Sequence, residues 1–250
     1  WLAAATCLKV IPALLVLYPL MRRDGRMLAH FGLGLVSGLV LVPLAALGPE
    51  RTLSTARAFA ANTLLPGLTS DGGKLAAELT NMTATDNQSL QAIIHNARHP
   101  DRATRPATAD VGTKLAHVGL SAALVGWTFV AAGRFPDPRR RVYALLAGLA
   151  IVMVAATPVN HTHYMVLAVP AVLGLVHAEL ERRRVFGWGA GLTVVAAVHL
   201  ASGVLPRLPF VPGFELLRDL GVTMLGTLVV WYAALTRPVA PAVTPSRLNA

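Results

Sequence analysis

The sequence predicts an all-α protein, a polytopic bundle of about seven transmembrane helices with one long extracytoplasmic loop that carries short surface helices. Of its 250 residues, 54% are hydrophobic and only 14% are charged, and the mean hydropathy is +0.57. A soluble domain has about 25% charged residues. The apolar residues also form blocks long enough to cross a hydrocarbon layer of about 30 Å, which takes about 20 helical residues.

Charged segments separate the apolar blocks and set the limits of the predicted spans. The spans lie at 1–20, 27–48, 115–133, 142–158, 163–179, 186–204 and 219–236. Small residues at four-residue spacing predict close helix packing at two places, Gly34-x-x-x-Gly38 and Gly187-x-x-x-Gly191. Residues 1–236 thus form one transmembrane domain, followed by a proline-containing tail at 237–250 that we expect to be disordered.

The basic residues predict the orientation in the membrane. The connections after the first, third and fifth spans hold 10 of the 22 lysines and arginines, in the runs Arg22–Arg26, Arg134–Arg141 and Glu181–Arg184. Short loops rich in lysine and arginine stay in the cytoplasm. The tail falls on the same side, so the segment 49–114 faces outward from the plasma membrane. The net charge of +10 is therefore a topology signal, and no nucleic-acid partner is expected.

The outward segment 49–114 is too long for a simple connector, and loops of this size usually have a function. Two stretches in it, Leu53–Leu65 and Ser89–Ala97, have apolar residues at helical spacing. Short helices lying on the membrane surface would explain this pattern. The alternative is a solvated loop with nascent helix.

One cation lies inside a predicted span. Lys9 stands thirteen residues before Arg22, which places it about 20 Å from the cytoplasmic end of a continuous helix. An ammonium at that depth is costly and indicates a function or an anionic partner. The alternative is a side chain that snorkels to the outer headgroups. All 12 carboxylates lie in loops or at span ends, which argues against a proton-coupled transporter.

Histidines gather at the same outer depth as Lys9. His161 and His163 lie in the turn between the fourth and fifth spans, and His117 and His199 lie toward the outer ends of the third and sixth. This shared depth favours an anion-binding or proton-transfer site, although each histidine alone is more often a hydrogen-bonded structural residue. No metal site is predicted, because neither a carboxylate nor a cysteine accompanies the pair in the turn.

Asn87, Gln88 and Ser89 form a second polar cluster, in the outward segment. Amide groups both donate and accept hydrogen bonds, which suits the hydroxyl groups of a sugar. Equally, these residues would cap a helix that begins near Ser89. Both interpretations stay open at the level of the sequence.

Three of these clusters occur together in a known family. In chain order they are Lys9 to Pro12, with the pattern Lys-x-x-Pro, then Asn87 to Leu90, and then the turn with Pro158, His161 and His163. Over roughly residues 1–200, this arrangement resembles the C-terminal part of glycosyltransferase family 87, polytopic mannosyltransferase-like enzymes of the GT-C superfamily. The turn departs from the family pattern, which usually has a tryptophan and paired histidines.

The resemblance implies a GT-C-type bundle and a hexosyl- or pentosyltransferase. Such an enzyme moves mannose or arabinofuranose from a polyprenyl-phosphate donor to a lipid-linked or polysaccharide acceptor of the cell envelope, on the extracytoplasmic side, with inversion and without a cofactor. It takes the acceptor proton with an aspartate in the first outer loop. That loop would precede Trp1, so we expect the chain to be the later part of a longer protein.

The resemblance and the chemistry together assign roles. Cleavage of the sugar–phosphate bond leaves added negative charge on the lipid phosphate, which a preorganised cation stabilises, and Lys9 is the candidate for that cation. The candidate catalytic residues are His161 and His163. The candidate sugar or acceptor ligands are Asn87, Gln88 and Ser89. A basic residue of the family pattern follows Asn-Gln-Ser somewhat earlier than Arg98 does here.

Two other classes of membrane protein are compatible with the same composition. A transporter or flippase of a lipid-linked, phosphate-containing substrate would bind the same headgroup, and a structural membrane subunit would need no chemistry. The long outward segment favours an enzyme. A flippase needs a polar path through both halves of the membrane, and the inner halves offer little besides His30 and His177.

Overall fold

The computed structural model describes residues 1–64, 81–83, 87–181 and 219–236. Within these ranges the chain is helical and contains no strand, and its one extended pairing is an isolated antiparallel bridge between Asn87 and His161. The predicted all-α class is therefore confirmed for the described part. The predicted span at 186–204, the glycine pair within it and the tail at 237–250 lie outside the described residues.

The first apolar block is broken, where the sequence predicted one continuous span. Helix α1 (Leu2–Leu8) ends before Lys9, whose backbone is extended, with φ −148° and ψ 131°. A 3-10 helix at Ile11–Val16 and the short helix α2 (Leu17–Met21) follow. The cause is Pro12, which has no N–H to donate to Leu8 and whose ring would collide with that carbonyl in a continuous helix.

The second block forms a long helical segment. Helix α3 (Gly25–Val36), a π-helix at Ser37–Leu41, helix α4 (Val42–Phe59) and a second π-helix at Ala60–Leu64 follow one another. Gly48, before Pro49, bends α4 with φ 76° and ψ 168°, a conformation that favours glycine. Thus the predicted span at 27–48 and the described residues 53–64 of the predicted surface helix are helical, and they are directly joined.

Glycines let α1 approach α3, as the sequence predicted for Gly34 and Gly38. A Cβ atom on Gly34 would lie 2.6 Å from Cβ of Ala3, and one on Gly38 would lie 2.6 Å from Sγ of Cys7. Neither position has room for a larger residue unless the neighbouring side chain or helix moves. The small-residue spacing therefore sets the packing distance between the two helices.

The remaining described helices overlap the helical segments that the sequence predicts, and their crossing of a membrane stays a prediction. They are α5 (Leu90–Arg98), α6 (Val111–Gly133), α7 (Pro138–Ala155), a 3-10 helix at Thr162–Ala168, α8 (Val169–Glu181) and α9 (Val222–Thr236). The side chains of Ser89, Asp110 and Asp137 accept backbone N–H groups at the starts of α5, α6 and α7. These caps fix where the three helices begin.

Helix α7 lies at the centre of the described bundle, packed against α6, α9 and the 3-10 helix at Ile11–Val16. Its residues Leu149, Ile151 and Val152 are completely buried. The segment Gly25–Asn62 differs, because its most apolar stretch has no buried residue. Together with α6 it is long and apolar enough to cross a membrane, and its exposed leucines and valines suit contact with lipid.

One buried polar contact joins α6 to α9. The indole N–H of Trp231 donates to Oγ1 of Thr128 over 2.9 Å, and the Thr128 hydroxyl donates to the Leu124 carbonyl over 2.7 Å. Thr128 is completely buried and Trp231 is nearly so. Since buried polar groups are costly when unpaired, this contact fixes how α9 lies on α6.

We predict that Thr128→Val destabilises the bundle by about 1 kcal/mol, because it leaves the Trp231 N–H unpaired while keeping the branched shape of the side chain. Thermal unfolding in detergent measures the effect. In a Trp231→Phe background, which has no N–H to satisfy, the same substitution should cost much less. An equal loss in both backgrounds would contradict the role of the contact.

Candidate functional site

Two segments that are distant in sequence pair with each other. The backbone N–H of Gln88 donates to the carbonyl of Asn160 over 2.7 Å. The hydroxyl of Ser89 donates to the carbonyl of Pro158 over 2.7 Å and accepts the N–H of Ala92, so it caps α5 and fastens the turn at the same time. Ser89 and Asn160 are both completely buried. We call residues 87–89 and 158–161, taken together, the paired turn.

Asn87 organises this paired turn with its side-chain amide. Its Oδ1 accepts the backbone N–H of Asn160 over 3.2 Å and that of Ser89 over 3.1 Å. Its Nδ2 donates to the carbonyl of Asn81 over 3.2 Å. A side chain that both donates and accepts is needed here, which explains why an amide occupies this position.

The break after α1 brings Lys9 to the same region. The Lys9 ammonium lies 3.9 Å from the ring centroid of Tyr164 and also donates to the Tyr164 hydroxyl. The Tyr164 ring centroid is in turn 5.9 Å from that of His161. The extended backbone at residue 9 and the 3-10 helix at Thr162–Ala168 therefore place a cation, a phenol and an imidazole next to the paired turn.

The structure thus unites all three sequence clusters. Lys9 contacts Tyr164, whose ring lies beside His161. Asn87, Gln88 and Ser89 bond to the turn that contains His161, although the clusters come from three parts of the chain. The backbone of His163 lies in the 3-10 helix of this region, and its side chain is outside the described residues. Their chemical roles stay predictions.

Sequence reasoning missed the importance of two residues. Tyr164 has no part in the predicted site, but it is the partner of Lys9. Asn160 is completely buried, and its Oδ1 has no hydrogen-bond partner in the described part of the chain. Both residues lie within six positions after Pro158. The cluster of polar residues at 160–164 was therefore the feature of the sequence that could have indicated them.

The described side chains of two other predicted residues have contacts of their own. His117 is buried in α6 with its Nε2 3.3 Å from the carbonyl of Ala155, a structural contact. His199 is outside the described residues. Arg98 contacts Asp110 at 3.3 Å, away from the paired turn. Of the four histidines expected at one depth, His161 lies beside Tyr164 and His117 contacts the last residue of α7, while the side chains of the other two lie outside the described residues, so their grouping stays a prediction.

Charged groups also fasten the segment after α5. Oδ2 of Asp219 lies 2.6 Å from Nε of Arg102 and 3.1 Å from Nη1 of Arg105, whose side chain is almost fully buried. Nearby, burial lowers the pKa of His95. The hydrogen bond from the backbone N–H of Thr113 holds the pKa of Asp110 well below its usual range. These contacts tie the segment to the starts of α6 and α9.

The fold is that of a helical protein with two helices long and apolar enough to cross a membrane, in which a cation and polar groups lie near a break in the first helical block. The family model of glycosyltransferase family 87 matches residues 1–158. Because the match covers more than half of the chain, the chain belongs to glycosyltransferase family 87, a family of transferases. The matched region ends at Pro158, so His161 and His163 lie just beyond the match.

The comparisons with curated proteins and with solved structures give no match. The family and the two long apolar helices together indicate a membrane protein. A glycosyltransferase uses a sugar donor and an acceptor, and both must reach the region that holds the transferred sugar.

We predict that Ser89→Ala loosens the paired turn. It removes both the cap of α5 and the bond to Pro158, which together contribute about 1–2 kcal/mol. Hydrogen exchange should speed up at the Gln88 and Ala92 amides. Ser54→Ala is the matched control, because the Ser54 hydroxyl makes only an exposed bond to the carbonyl of Arg51. Unchanged exchange at Gln88 would contradict the fastening role of Ser89.

Proposed function

We propose that this protein transfers a sugar, mannose or arabinofuranose, from a polyprenyl-phosphate donor to a lipid-linked or polysaccharide acceptor of the cell envelope. The reaction takes place on the extracytoplasmic side of the plasma membrane, which the chain crosses several times. Family membership supports the transfer reaction. The single observation that supports the donor class is the Lys9 ammonium held at a helix break beside Tyr164.

A lysine at this place suits a lipid phosphate. Lys9 is exposed at the break, and the ring of Tyr164 attracts its ammonium from one side through a cation–π contact while leaving other donor directions open. A cation within the apolar part of a membrane protein is costly unless it has an anionic partner. The phosphate of a polyprenyl donor supplies that anion at headgroup depth.

The chemistry explains why a fixed cation accelerates transfer. The acceptor oxygen forms a bond to the anomeric carbon, the bond from that carbon to the phosphate oxygen breaks, and the polyprenyl phosphate leaves with one more negative charge. The acceptor proton passes to a base. A preorganised ammonium stabilises the charge as it develops on the phosphate, which lowers the barrier. We assign this task to Lys9.

The histidines and the paired turn complete the proposed site. We propose that His161, which lies next to Tyr164, binds phosphate or assists proton movement, and we propose the same for His163. The hydrogen bonds of Asn87 and Ser89 to the protein support a positioning role for both residues. Their predicted contact with sugar or acceptor, and that of Gln88, stays a proposal.

We predict that Lys9→Met lowers kcat of sugar transfer about 10²–10³-fold, since it removes one preorganised donor to the leaving group. Lys9→Arg should retain a larger part of the activity because it keeps the charge. The measurement is transfer from a polyprenyl-phosphate sugar by the full-length protein in membranes.

Arg22→Met is the matched control for Lys9→Met. Arg22 also donates to a tyrosine hydroxyl, that of Tyr18, over 2.8 Å, but it lies at the other end of the same broken segment. Its removal should leave kcat near the wild-type value. Normal turnover in Lys9→Met would overturn the phosphate assignment, and donor binding without any transfer in the wild-type protein would favour a carrier.

The orientation yields a further prediction. In a Cys7→Ser background, a cysteine at Ala103 should react with a membrane-impermeant maleimide in intact cells, because segment 49–114 faces outward. A cysteine at Arg139, in the basic connection between α6 and α7, should react only after permeabilisation. The opposite labelling pattern would place the site on the cytoplasmic side.

A further inference from the structure

Three potential metal ligands meet where the end of α5 faces the start of α6. His95, His99 and Asp110 each offer one ligand atom, and these three atoms lie within 4.8 Å of one another. His95 is completely buried, and the other two are half-exposed. The cluster contains none of the residues proposed to act in sugar transfer, so metal binding there can be tested separately from the transfer reaction.

The hydrogen bond of His95 presents a free nitrogen lone pair. Its Nε2 lies 2.9 Å from the carbonyl oxygen of Pro106. A carbonyl only accepts, so the proton is on Nε2 and Nδ1 is an acceptor. Nδ1 is buried and has no hydrogen-bond partner in the described part of the chain. Histidines that bind metals commonly donate their other ring N–H to a backbone carbonyl in this way.

His99 and Asp110 supply the other two ligands. Nε2 of His99 lies 3.5 Å from Oδ2 of Asp110. Two ligands bound about 2.1 Å from a tetrahedral ion are themselves about 3.4 Å apart, so this spacing already suits a metal. The rings of His95 and His99 are 4.7 Å apart, since a separation of four residues places both on one face of α5.

The carboxylate of Asp110 is held ready by its neighbours. Oδ1 accepts the backbone N–H of Thr113 over 2.9 Å, and Oδ2 accepts the Thr113 hydroxyl over 2.8 Å. Arg98 lies 3.3 Å from Oδ1, and about half of its side chain is exposed. When a cation binds to Oδ2, the Arg98 guanidinium can turn toward solvent, so its positive charge does not prevent binding.

We propose that His95, His99 and Asp110 bind a divalent transition metal ion, for which Zn²⁺ is the best fit. Two imidazoles and one carboxylate, with a fourth position for water, are a ligand set that zinc accepts. Mg²⁺ and Ca²⁺ prefer oxygen ligands. The three ligands were not recognised in the sequence because Asp110, eleven residues after His99, meets the two histidines of α5 only after folding.

The bound ion would have a structural effect at the paired turn. Helix α5 carries His95 and His99 at its C-terminal end, while Ser89, which fastens the paired turn, caps its N-terminal end. A metal that joins α5 to the start of α6 at Asp110 therefore holds the helix from which residues 87–89 extend. The ion fixes the position of α5 and of residues 87–89, and it takes no part in the sugar-transfer reaction.

The test is calorimetric titration of Zn²⁺ into the full chain in detergent, stripped of metal, in a Cys7→Ser background that removes the only thiol. One equivalent should bind saturably and raise the unfolding temperature. His99→Ala should weaken binding at least about tenfold. Asp110→Asn should also weaken it, and it retains an oxygen that caps α6.

Control variants keep the result interpretable. His30→Gln removes an exposed histidine that only contacts the carbonyl of Arg26, and should leave the affinity for Zn²⁺ unchanged. If His99→Ala lowers the unfolding temperature of the metal-free protein, the affinity of Asp110→Asn decides the matter. The absence of saturable binding, or an affinity unaffected by both ligand substitutions, would overturn the proposal.

Discussion

The described structure depends on the hydrogen bonds that join residues 87–89 to residues 158–161. Asn87 and Ser89 carry the contacts, and they come from the long segment between α4 and α6, while their partners follow α7. Ser89 and Asn160 are completely buried and Asn87 is nearly so, and an incomplete set of bonds would leave unpaired donors and acceptors at a large cost. This requirement fixes residues 87–89 against the bundle. It also positions His161, the last residue of the paired turn, and Tyr164, three residues later.

The second constraint is the break in the first apolar block. Pro12 prevents a continuous helix, and the extended backbone at Lys9 directs the side chain of that lysine toward Tyr164. In a continuous helix, the rotation of the helix about its own axis would decide whether the Lys9 ammonium faced lipid or a neighbouring helix. Non-helical backbone inside a membrane is tolerated where it lines a cavity or is covered by protein. The costly break and the costly cation therefore occur together, which is typical of a binding site.

Most of the helices and one of their packing contacts could be predicted from the sequence. The long-range pairing and the break in the first helix could not, for physical reasons. Apolar periodicity gave α6, α7 and α9, because burial and length dominate there, and the Gly34 and Gly38 pair indicated packing against α1. The pairing of Asn87 with Asn160 joins residues 73 positions apart, which local patterns do not encode. The break at Lys9 was missed because hydropathy does not distinguish a continuous helix from one interrupted by proline.

The central claim is that the region bounded by Lys9, Tyr164 and the paired turn receives the phosphate of the sugar donor. The most direct measurement is a cryo-electron microscopy structure of the full-length protein with a non-transferable polyprenyl-phosphate-sugar analogue. We predict density for the phosphate within about 4 Å of the Lys9 ammonium, with the sugar beside His161. A phosphate bound at another depth, with Lys9 facing lipid, would contradict the account.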